Sequence, residues 1–152
     1  MNITIFGYGN DSRMADGVAF SLAPRISGYL EERGHKVNLS LEHQLLPESA
    51  VDLEEAEFAI FVDASVEKSE EGFRVRRIEA REVFEGLNLH SVSPEWILAM
   101  GARLHGKVPA AWLVTVEGEL FDFGEELTPL CAERMERALS AFMKLWEERE
   151  NA

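Results

Sequence analysis

Apolar positions along this chain fall into two rhythms, one of strands and one of helices. Residues 2–6, NITIF, read as a short buried strand. Val18, Leu22, Ile26, Tyr29 and Leu30 then recur at helical spacing, and Gly34 follows as a stop. Pro24 lies inside this run and predicts a bend or a broken start. KVNLSL (36–41) alternates apolar and polar residues as a half-buried strand does, and Pro47 opens a short helix to about Glu55. FAIFVDA (58–64) is a continuous apolar run, the mark of a strand covered on both faces. GFRVRRIE (72–79) alternates again, which suggests an edge strand with one wet face.

The second half repeats the scheme. Ser93 and Pro94 read as an N-cap followed by proline at the first helical position. Trp96, Ile97, Met100 and Leu104 give that helix an apolar stripe, and Gly106 ends it. AAWLVTV (110–116) is a second fully buried strand. Thr128 and Pro129 repeat the cap signal, and Cys131, Met135, Ala138, Leu139, Phe142 and Trp146 line one face of a long final helix. Strands alternating with helices predict an α/β layered domain with a mostly parallel sheet, one domain over 1–152.

In such sheets ligands bind beyond the carboxyl ends of the strands. That rule selects three places. The first strand ends in the stretch Gly7 to Gly17, with Gly9, Asn10 and Asp16 inside it. The FAIFVDA strand ends near Asp63. The loop before the Ser93–Pro94 helix carries His90.

Charge narrows the partners. The formal net charge is -13 over 152 residues, which disfavours nucleic acid and anionic membrane surfaces. No apolar run approaches the ~20 residues of a membrane helix. A single cysteine, Cys131, excludes a disulfide framework and a multi-cysteine zinc site, and fits a reducing compartment. The N-terminus has neither a basic segment nor a long apolar one, so no signal peptide is expected and the expected compartment is the cytoplasm.

Two carboxylates and an imidazole, Asp16, Asp63 and His90, form a plausible three-ligand set for a divalent transition metal with open positions left over. Each has a plainer reading. Asp16 can cap the first helix, Asp63 can begin a turn, and His90 can be an ordinary loop histidine. The glycine loop is not a dinucleotide fingerprint, because Ser12 stands where a third glycine would be, and no Gly-Lys-Ser/Thr follows as in a P-loop. Its amides can still hold an anion, and its glycines fit a close pass by another backbone. Cys131 reads as a buried structural thiol. His35 should be exposed after Gly34. His43 and His105 flank element ends with nothing nearby to recruit them, and the acidic segments, EEREN among them, read as solvated faces.

Taken together, GYGN (7–10), the pair Asp16–Gly17, FVDA (61–64), the segment from His90 to ILAM (97–100) and LTP (127–129) resemble the hydrogenase maturation endopeptidases. The resemblance runs from residue 3 to about residue 143. It implies a three-layer α/β/α sandwich around a twisted, mixed five-stranded sheet. It also implies removal of a C-terminal extension from the precursor of a nickel-iron hydrogenase large subunit after nickel insertion. The family's metal-binding positions match Asp16, Asp63 and His90, which would also be the catalytic set. Gly7, Gly9, Asn10 and Gly17 would form the loop facing the substrate. The implied metal is nickel brought by the substrate, for which another divalent ion can stand in, and no organic cofactor is expected. The family usually carries two adjacent acidic residues before the glycine, and here the first is Ala15. A non-catalytic chaperone that checks nickel loading is the rival reading.

Overall fold

The computed structural model describes residues 1–9, 12–65, 70–82, 92–117 and 129–152, and of 12–18 and 65 the backbone alone. Five strands form one sheet: β1 (Asn2–Gly9), β2 (Lys36–Glu42), β3 (Phe58–Ser65), β4 (Phe73–Ile78) and β5 (Ala110–Glu117). Their order is β2-β1-β3-β5-β4. The pairs β1–β2, β1–β3 and β3–β5 are parallel, and β4 joins β5 antiparallel as an edge strand. The sheet is therefore mixed and mostly parallel, as the sequence predicts. β1 runs on to Gly9, past the NITIF segment, because residues 7–9 pair with β3 through the register Gly7↔Val62, Tyr8↔Asp63 and Gly9↔Ala64.

Three α-helices follow the apolar spacing: α1 (Ser12–Glu32), α2 (Pro94–His105) and α3 (Pro129–Glu150). Pro24 lies inside α1, which continues through it to Glu32 without a break. The segment opened by Pro47 is a 3-10 helix, Pro47–Leu53. α2 starts where Ser93 accepts a 3.1 Å hydrogen bond from the Trp96 amide. It stops at Gly106, whose φ of 75° is the left-handed value that glycine adopts cheaply.

Alternation along each strand divides the core in two. Ile3, Ile5, Phe58, Ile60, Val62, Val114 and Val116 pack under α1 and α3 with Leu22, Ile26, Leu30, Met135, Phe142 and Trp146. Phe6, Tyr8, Phe61 and Leu113 point the other way, onto α2 and the 3-10 helix with Leu45, Leu53, Trp96 and Ile97. Helices thus cover both faces, which gives an α/β/α sandwich. Leu104, expected in the apolar stripe of α2, is 55% exposed. An aromatic nucleus sits where β3 and β5 begin. Trp146 stands edge-on to Phe58 and Trp112 at 5.0 and 5.5 Å and stacks on Phe142 at 5.9 Å. Among the described residues no helix is long and apolar enough to cross a membrane.

Candidate functional site

Four parallel strands end at one rim of the sheet, and the register aligns their last side chains. Glu42, Tyr8, Asp63 and Thr115 occupy neighbouring positions on β2, β1, β3 and β5, and Arg74 of β4 completes the row. Adjacent strands lie ~4.8 Å apart, so each side chain touches the space of the next. This row faces the α2 layer, since Tyr8 shares its sheet face with Phe6 and Phe61.

Asp63 holds the middle of the row. It is partly buried, and its Oδ1 is shut off from solvent. Glu42 is engaged elsewhere. Its carboxylate accepts from Ser40 Oγ at 3.2 Å and from Ser49 Oγ at 3.1 Å, which ties the end of β2 to the 3-10 helix. Tyr8 is 2% exposed. Burial pushes its phenol well above the ordinary value of 10.0, and the charges of Asp63 and Glu95 push in the same direction against the opposing charge of Arg76. The phenol is therefore protonated at every physiological pH.

Gly7 and Gly9 shape the approach. A Cβ on Gly7 would lie 2.8 Å from Leu41 Cδ2, 2.9 Å from Ala23 Cβ and 3.2 Å from the Ala19 carbonyl oxygen, so α1 can rest on β1 only because position 7 has no side chain. This is the close backbone pass expected of the glycine loop. The Gly9 amide donates to the His43 carbonyl oxygen at 3.3 Å. Asp16 and Gly17 lie on α1, four and five residues past its first residue, Ser12, close behind the end of β1; their side chains fall outside the described residues. Asn10 and His90 also fall outside them. Among the described residues, no three His, Cys, Asp or Glu side chains gather to hold a metal.

The other histidines revise the sequence reading. His43 does have company: its carbonyl is bound by Gly9 at the rim, and its ring lies 6.1 Å from that of Phe20. His105 is recruited by the 3-10 helix, with Nε2 at 3.0 Å from the Ala50 carbonyl oxygen. His35 is not exposed; its side chain retains 14% of its surface, edge-on to Trp146 and 3.2 Å from the N-terminal amine. Cys131 is buried as expected. Within EEREN, Glu150 is not simply solvated. It accepts from Arg33 Nε at 3.0 Å and Arg33 Nη2 at 2.8 Å, a two-pronged clasp between α3 and the turn just after α1. Sequence reading missed Tyr8 and His43 as members of the rim. Their only signal was position, each at or just past the carboxyl end of a strand beside a glycine or a turn.

No protein-family model matches the chain, and a search of curated proteins finds no relative. Solved structures share its fold. A NiFe hydrogenase maturation protease, HycI, from Thermococcus kodakarensis is similar at a TM-score of 0.67 and 22% identity, over 96% of this chain and 92% of that one. The hydrogenase maturating endopeptidase HybD from Escherichia coli is similar at a TM-score of 0.63 and 24% identity, over 98% and 94%. A hydrogenase 2 maturation peptidase from a Thaumarchaeota archaeon is similar at 0.61 and 18%, over 96% and 98%. The likeness spans nearly the whole length of both partners in each comparison and establishes the shared fold.

Proposed function

We propose that the chain is an endopeptidase that removes a C-terminal extension from the precursor of a nickel-iron hydrogenase large subunit once nickel has been inserted. The observation that carries this reading is Asp63 in the middle of the carboxyl rim. There the fold shared with maturation proteases and the general rule for ligand placement in open α/β sheets coincide. The ordered motifs GYGN, Asp16–Gly17, FVDA and His90 support it from the sequence side.

Nickel belongs to the substrate here and arrives held by the precursor. Asp16 and Asp63 offer anionic oxygen donors to it and His90 a neutral nitrogen. The shared ion fixes the precursor at the rim and brings the scissile bond beside two carboxylates, one of which can take a proton from an attacking water. Gly7, Gly9, Asn10 and Gly17 are assigned, from the family resemblance, to the stretch that faces the substrate. The enzyme works in the cytoplasm, before the precursor closes over its metal.

The test is a cleavage assay with nickel-loaded and nickel-free precursor. Loaded precursor should lose its tail and nickel-free precursor should not. Asp63→Asn should lower the rate roughly 100-fold or more, the usual worth of a proton-transfer or ligating carboxylate. Stable binding of loaded precursor without cleavage would instead favour the chaperone reading.

A further inference from the structure

Tyr8 has an unexplained hydroxyl. The residue is 2% exposed, and among the described residues its Oη has no hydrogen bond. Leaving a buried hydroxyl unpaired is costly, and phenylalanine would fill the same space without that cost. A native protein rarely keeps such a group without a use for it. Its position suggests the use. Tyr8 and Asp63 are register partners on adjacent parallel strands, and their side chains rise from the same face of the sheet. A phenol hydroxyl carries a proton that a carboxylate oxygen can accept. Hydrogen bonds of this kind are often long in an empty site and tighten when substrate binds.

We propose that Tyr8 is a positioning residue for Asp63: its buried hydroxyl, which has no hydrogen bond among the described residues, donates to the carboxylate on the neighbouring strand when substrate occupies the carboxyl rim. The donation fixes which carboxylate oxygen faces the substrate. The inference rests on the reading of Asp63 given above. Tyr8 itself touches neither the precursor nor its nickel.

Tyr8→Phe removes the hydroxyl and keeps the ring. In the cleavage assay its kcat should fall roughly 10- to 100-fold, the worth of a hydrogen bond to a charged group, at unchanged KM. Its Tm should stay equal or rise, because an unpaired buried hydroxyl has been removed. In an Asp63→Asn background, Tyr8→Phe should leave the Kd for nickel-loaded precursor unchanged, since the carboxylate it serves is gone. A Tyr8→Phe enzyme with wild-type kcat, or one losing kcat only in step with a falling Tm, overturns the proposal while Asp63→Asn remains inactive. Full cleavage by Asp63→Asn overturns the underlying reading of the site and this proposal with it.

Discussion

Gly7 is where one missing side chain decides the most. Its hydrogen stands against Ala23 and the Ala19 carbonyl of α1 on one side and Leu41 of β2 on the other. The carbonyl cannot yield without moving the helix. Gly7→Ala should therefore cost about 1–3 kcal/mol, measured by urea unfolding. Gly101→Ala is the contrast. Its Cβ would meet Leu53 Cδ1 at 2.9 Å, the end of a flexible side chain, and alanine is better in a helix by about 1 kcal/mol. The net change at 101 should stay within about 1 kcal/mol. The close pass at Gly7 was legible in the sequence because two glycines straddle a strand end. Tyr8, between them, was not. Alternation says which face a residue takes, but only the register reveals that its neighbour is Asp63. His43 was missed for the same reason, since β2 and β1 meet across a whole intervening helix.

Among the elements, α1 and α3 are fastened to each other at the surface as well as through the core. Arg33 grips Glu150, and Arg25 pairs with Glu136. The hydrogen bonds from Arg33 hold the Glu150 carboxyl down at about 2 from its usual 4.5, against the opposing effect of desolvation. A depressed acid stabilises the fold above its unfolded value and loses that contribution as it is protonated. The wild-type Tm should accordingly decline between about pH 5 and pH 2, and Glu150→Gln should flatten part of that decline; thermal melts across this range check it. The effect will be modest, because the pair remains in contact with water. Trp146, fully buried one turn before Glu150 on α3, matters far more. Trp146→Ala should cost about 3–5 kcal/mol in chemical denaturation. It should leave the kcat of the folded fraction unchanged, because the aromatic nucleus stands at the amino rim of the sheet, opposite Asp63. The elements themselves were legible wherever caps and periodicity agreed, as at Ser93, Pro94 and Gly106. Leu104 misled because its spacing of seven from the buried Ile97 gives it the same direction, yet it is exposed, and no local pattern says where the layer beneath a helix ends.

For the whole molecule, strand order decides what opens last. β3 lies at the centre, with Ile60, Phe61 and Val62 fully buried between the two helical layers. Hydrogen exchange should find these amides opening only with global unfolding, while β2 and β4 exchange sooner through local opening. Fold class was readable from alternating elements. The order of strands was not, because pairing is a long-range choice that periodicity does not encode. The rim that carries Asp63 could be deduced from class alone, whereas its membership could not. One edge has a further consequence. The outer ladder of β4 carries Arg74, Arg76 and Arg77, all exposed. Two molecules drawing together through that ladder would crowd six guanidinium groups into a single seam. The repulsion guards an open row of backbone donors and acceptors against zipping onto its own kind, in a chain whose acidity elsewhere offers this edge many misplaced attractions.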